Sequence, residues 1–212
     1  MMDDYVVNCR DIDESALVGS SIRKVIEWAV DGVMAHERSL VIMGEPGSGK
    51  TTALLLIMSR LRRLGIPVAY INTYNELGLR PMKIVNCNND SNANVLLIDD
   101  LDVVFTVPKL ATAFIDRVIR FNGTVIASLT VPLLISNELE PLEPLVKFLH
   151  SSLRASIEYH YDDLRVFAQR LGVSYVKQDM RTPGMILRNF RKWGNNKRGA
   201  LNNVLSDSNV TL

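Results

Sequence analysis

Residues 44–51 read Gly-Glu-Pro-Gly-Ser-Gly-Lys-Thr, and the rest of the chain orders itself around them. Just before them, Ser39 to Met43 is a short apolar run, the composition of a strand buried on both faces. Just after them, Lys50 to Leu64 reads as a helix closed by Gly65 and Pro67. Glycines let the backbone between strand and helix curl so that successive N–H groups surround the oxygens of a phosphate. The helix beginning near Gly49 adds its positive end. A lysine followed by threonine has no packing purpose at that point. Lys50 would set a compact charge on β- and γ-phosphates, and the Thr51 hydroxyl would ligate a divalent cation. The spacing G-x-x-x-x-G-K-[S/T] between strand and helix is the phosphate-loop pattern. The expected contacts come from Gly44, Glu45, Pro46, Gly47, Ser48, Gly49, Lys50, Thr51 and Thr52.

Working outward, Ser21–Glu37 has the 3–4 apolar spacing of an amphipathic helix, and Leu110–Phe121 reads as another. Val68–Asn72, Val95–Asp99, Thr124–Leu129 and Ser156–Tyr161 read as further strands, and Asn86–Asn94 as a polar loop. Short buried strands alternating with helices predict an α/β fold, a parallel sheet between two helical layers, over residues 1–161. From Asp162 the strands stop. Asp162–Leu171 is helical, and Thr182-Pro183 looks like an N-cap and first-turn proline opening a helix through about Trp193. Residues 162–193 are therefore expected to be a small helical lid, and 194–212 a frayed tail.

The second half of a phosphate site is Val95-Leu-Leu-Ile-Asp-Asp100. A cation between phosphates needs a carboxylate from a neighbouring strand end, and Asp99 follows four apolar residues. Asp100 would then be the carboxylate nearest an attacking water. No Asn-Lys-x-Asp signature for guanine occurs, so the expected ligands are ATP and Mg²⁺, with Thr51 and Asp99 as metal ligands.

Composition excludes little else. The 212 residues are 47% apolar and 22% charged, ordinary for a globular domain. Apolar runs are far shorter than a membrane span requires, and the acidic N-terminus is unlike a signal peptide, so the cytoplasm is expected and no membrane. Cys9 and Cys87 lie far apart, and His36, His150 and His160 have no ligand spacing. Residues 177–200 carry Lys177, Arg181, Arg188, Arg191, Lys192, Lys197 and Arg198 against Asp179. That basic stretch is a candidate DNA contact or, equally, a solvated helix face.

With both motifs in place, the chain resembles an AAA+ ATPase, closest to the initiator and helicase-loader group that includes DnaA, DnaC, IstB and archaeal origin-recognition proteins. The resemblance implies a role in DNA replication or transposition and further site residues. Leu17-Val18-Gly19 is similar to the segment that contacts adenine, and Asn72 to the polar residue that restrains the catalytic carboxylate. Thr130 stands at the sensor-1 position, usually Asn. Arg154 resembles the arginine finger that a neighbouring subunit supplies, which implies self-association through that face. Arg188, with Arg191 as second choice, resembles the sensor-2 arginine, one residue beyond the usual Gly-x-x-Arg spacing. The catalytic set implied is Lys50, Asp100, Thr130 and Arg154. Thr73–Asn94 is short for the group, and the second acid is Asp rather than Glu. Two alternatives stay open: an ATP-switched adaptor with little hydrolysis, and a P-loop kinase.

Overall fold

The computed structural model describes residues 6–8, 14, 17, 19–79, 83–85, 92–131, 140–173 and 176–193, with 6–8, 83–85 and 191–193 described by their backbone. Val18, both cysteines, most of the asparagine-rich loop and the tail from 194 lie outside the described residues.

The elements run β1 (Val6–Asn8), α1 (Ser20–Met34), β2 (Ser39–Gly44), α2 (Lys50–Arg63), β3 (Val68–Asn72), α3 (Thr73–Glu76), β4 (Lys83–Val85) and β5 (Val95–Asp99). Then follow α4 (Pro108–Arg120), β6 (Thr124–Thr130), α5 (Glu143–His150), β7 (Leu153–Ser156), α6 (Tyr161–Arg170) and α7 (Pro183–Trp193). The main sheet has the order β3-β5-β6-β2-β7, and every pairing in it is parallel. Parallel neighbours need crossovers, which put helices on both faces. On one face α1 and α2 close over Leu40, Ile42, Leu97 and Ile126. On the other, α4 and α5 close over Val41, Ile98, Val125 and Ala127. The alternation of these residues along single strands explains why they read as unbroken apolar runs. The three-layer α/β architecture is the one expected.

Two features differ from the sequence reading. The last strand is Leu153–Ser156, not Ser156–Tyr161. It runs beside β2, and the ladder ends with Ile157 N–H donating to the Met43 carbonyl at 2.8 Å, where β2 turns into the glycine loop. As an edge strand it exposes Leu153 and Arg154, so the apolar signature used to find strands is missing. A second, two-stranded sheet pairs β1 with β4 in parallel. Each of its strands is three residues long, too short to show a period. Near this N-terminal segment, Glu14 grips Arg60 of α2 through two bonds of 2.8 and 2.6 Å.

Beyond β7 the described chain forms helices and turns. Helices α6 and α7 share a small core of Leu164, Ala168, Leu171, Val176, Met180 and Ile186. The Tyr161 hydroxyl, donating to the Val176 carbonyl at 2.9 Å, pins the intervening segment. Among the described residues no helix is long and apolar enough to cross a membrane.

Leu97, fully buried at the centre of the sheet, is expected to cost about 2–5 kcal/mol when cut to Ala. For a chain of this size that lowers the melting temperature by roughly 5–15 °C. Leu64→Ala, at a site 57% exposed, should stay within about 0.5 kcal/mol. Thermal melts followed by circular dichroism check both, and equal shifts would contradict this core.

Candidate functional site

Because the sheet is parallel, β2, β5 and β6 all deliver their C-terminal ends to one edge, and the glycine loop lies there. Gly47 and Gly49 have φ of 80° and 91°, in the region open mainly to glycine. The loop's carbonyls are all engaged. Lys50 Nζ donates to those of Gly44 (3.0 Å) and Glu45 (3.2 Å), and the Thr182 hydroxyl to that of Pro46 (3.2 Å). The Gly184 N–H donates to the Gly47 carbonyl (3.0 Å), the Tyr159 hydroxyl to that of Ser48 (2.8 Å), and the Ala53 N–H to that of Gly49 (2.8 Å). A loop whose carbonyls are taken up in this way can offer its N–H side, with the free amides of the first turn of α2, to an anion. Thr52 lies in that first turn. The Ser48 hydroxyl is fully buried and has no hydrogen-bond partner among the described residues. An orphaned buried polar atom of this kind is rare and calls for a ligand or a water.

Asp99 is 1% exposed at the end of β5. Its Oδ2 accepts from the Thr51 hydroxyl at 2.7 Å and the Tyr70 hydroxyl at 3.0 Å, and its Oδ1 from Ser128 Oγ at 2.6 Å. The Thr51–Asp99 pair spans β6, which lies between the strand feeding α2 and the strand carrying Asp99. Hydroxyl and carboxylate side by side are the hard-oxygen donors that Mg²⁺ takes. Among the described residues no group of three His, Cys, Asp or Glu could hold a metal by itself, so Thr51 and Asp99 could supply only part of such an ion's shell.

Asp100 stands in a left-handed conformation, φ 55° and ψ 42°. Aspartate tolerates this region better than most residues, and strain of this kind collects at functional sites. The turn aims its carboxylate at Asn72, whose Nδ2 donates to Oδ2 at 3.2 Å, while its own N–H donates to Ser128 Oγ at 2.8 Å. Burial, then the neighbouring Asp99 charge, push the Asp100 carboxyl up to about 7. Burial lowers the Lys50 ammonium from its usual value, opposed by the charges of Asp100, Asp102 and Asp99. Asn72 also caps α3, accepting from the Asn75 N–H at 3.4 Å.

The structure therefore gathers the glycine loop, Lys50, Thr51, Asp99 and Asp100 at one place. Thr130 ends β6 nearby, its N–H donating to Asp102 Oδ1 at 3.1 Å. Arg188 is exposed on α7, one turn after Gly184. Gly184 packs so closely on Gly47 that an added Cβ would lie 2.7 Å from the Gly47 Cα. Arg154 stands apart on β7, its guanidinium donating to the Leu149 carbonyl at 3.0 Å. Gly19 abuts the Tyr159 ring. Tyr70 and Ser128 had escaped the sequence reading, and Thr182 was read there only as a helix cap, a role its bond from the Met185 N–H at 3.4 Å fits. A tyrosine and a serine inside otherwise apolar strands were the available signal, since a buried hydroxyl needs a partner.

No protein-family model and no curated protein sequence matches the chain. Solved structures do. A DNA replication initiation factor superposes with a TM-score of 0.58 at 15% identity, covering 88% of this chain and 65% of its own. The replication initiator DnaA, in a structure with AMPPCP and single-stranded DNA, gives 0.56 at 15% identity, covering 92% and 67%. Domain III of DnaA from Thermotoga maritima gives 0.53 at 14% identity, covering 94% and 99%. The chain spans about two thirds of the first two proteins and nearly all of the isolated domain. At such identities the likeness is one of fold. The chain has the fold of the AAA+ P-loop domains found in replication initiators.

Proposed function

We propose that this chain binds ATP with Mg²⁺ and hydrolyses it, acting in DNA replication or transposition as a loader-type or regulatory ATPase. The contact between the Thr51 hydroxyl and the Asp99 carboxylate, at the mouth of a loop whose carbonyls are all engaged, carries this reading.

Each residue's part follows from its chemistry. The loop amides of 44–51 and the start of α2 would bind the phosphates, and Lys50 would leave the Gly44 and Glu45 carbonyls to neutralise the β- and γ-oxygens. Thr51 and Asp99 would hold Mg²⁺, which screens charge building on the transferred phosphoryl group. Asp100 would orient the attacking water, and Thr130 would face the γ-phosphate from the end of β6. The Asn72 amide holds Asp100 Oδ2 at 3.2 Å, so the carboxylate would have to turn from Asn72 to address a water through that oxygen. That favours slow basal turnover, and gives the adaptor-like switch a specific footing as the second reading. Arg154, on an edge strand, would act on a neighbouring copy's site after breaking its bond to the Leu149 carbonyl. The helical pair 162–193 would serve as a lid, with Arg188 reaching the phosphates from the helix whose start abuts Gly47. DNA would meet the basic stretch 177–200. Supporting the replication role is the fold shared with DnaA domains.

Lys50→Ala is expected to weaken binding of a fluorescent ATP analogue at least a hundredfold, about 3 kcal/mol. Undiminished binding in that variant would overturn the site. Asp100→Asn should keep its affinity within a few fold and lose roughly a hundredfold or more in phosphate release. Phosphate release by the native chain should rise when single-stranded DNA is added. Nucleotide binding with no turnover under any condition would leave the switch reading standing instead.

A further inference from the structure

We propose that Tyr70 is a positioning residue for Asp99, holding that carboxylate in the orientation in which it receives a divalent cation. The inference rests on the nucleotide reading above and deepens it.

The geometry points to this role in three ways. First, Asp99 is almost fully buried, and a buried carboxylate keeps one orientation only while donors fix both of its oxygens. Ser128 fixes Oδ1 at 2.6 Å, and Thr51 and Tyr70 share Oδ2 at 2.7 and 3.0 Å. Second, the three donors are not equivalent. Thr51 is the hydroxyl that the cation itself would engage, so its bond to Asp99 is the one that must adjust when the cation arrives. Tyr70 lies on β3, whose register pairs Tyr70 with Leu97 and Asn72 with Asp99, so its phenol reaches forward along the strand to the carboxylate. It stays in place while Thr51 turns. Third, the phenol is rigid and always a donor. Tyr70 is 2% exposed within the core beneath α2. Facing a carboxylate oxygen at 3.0 Å, the phenol O–H donates.

Partners that orient metal-binding carboxylates commonly change metal affinity by about 10–100-fold when removed. A tyrosine that merely fills space and satisfies a buried acid would instead alter stability, with no bias between metal-dependent and metal-free binding. The distinguishing experiment titrates Mg²⁺ into the full-length protein with a fluorescent ATP analogue, and repeats the binding in EDTA. For Tyr70→Phe, the Mg²⁺ concentration giving half of the metal-dependent tightening should rise about tenfold. Affinity in EDTA should stay within about twofold, and Ser128→Ala should shift the same titration in the same direction. An unchanged Mg²⁺ titration in Tyr70→Phe would overturn the assignment. So would equal losses with and without metal, or loss of the folded circular-dichroism signal, since either makes the phenol a structural support. A native protein that binds no nucleotide in either condition would overturn the nucleotide reading, and this inference with it.

Discussion

The contact from the Thr51 hydroxyl to Asp99 Oδ2, 2.7 Å long, is the constraint around which the rest is arranged. It joins the start of α2 to the end of β5, two elements separated by β6. Bridging that gap demands a small polar residue on β6 at the same level, and Ser128 meets the demand by bonding Asp99 and the Asp100 N–H at once. It also demands that β2 and β5 end together, which a parallel sheet with β6 between them achieves. The apolar layers on both faces set the heights of these strand ends.

The polar groups of this crowded acidic corner are nearly all satisfied from within. Lys50 folds back on the loop's own carbonyls, and Asn72 holds Asp100 while capping α3. Short α3 is tied in turn to α4 by the Glu76–Arg117 ion pair. The loop is also held from outside the core, since Thr182 and Gly184 at the start of α7 bond to the Pro46 and Gly47 carbonyls. A triphosphate entering here would therefore exchange one set of partners for another, with Lys50 and Thr51 as the groups that move. Low local polarity strengthens each of these interactions and makes an unpaired one costly.

Legibility in the sequence followed covalent proximity. The loop from Gly44 to Thr51 is one continuous segment whose spacing is its geometry, so strand, turn and helix could be read together. Asp99 and Asp100 were readable because four apolar residues before an acid end a buried strand at a polar edge. Their embedding was not readable: Tyr70 and Ser128 reach Asp99 from strands 29 residues away on either side, and single polar residues in apolar runs carry no address. The edge strand β7 was misplaced for a related reason, since a strand with one open side lacks the burial that marks the others. The three-residue strands β1 and β4 have no period to detect, and Gly184 acquires its meaning only by lying on Gly47.

The most direct measurement is a crystal structure of the protein grown with AMPPCP and Mg²⁺. The account predicts the β- and γ-phosphates within the amides of 44–51, Lys50 moved from the Gly44 carbonyl onto them, and the cation beside Thr51 and Asp99. Nucleotide bound elsewhere, with Lys50 still on its carbonyls and the Thr51–Asp99 contact intact, would contradict it.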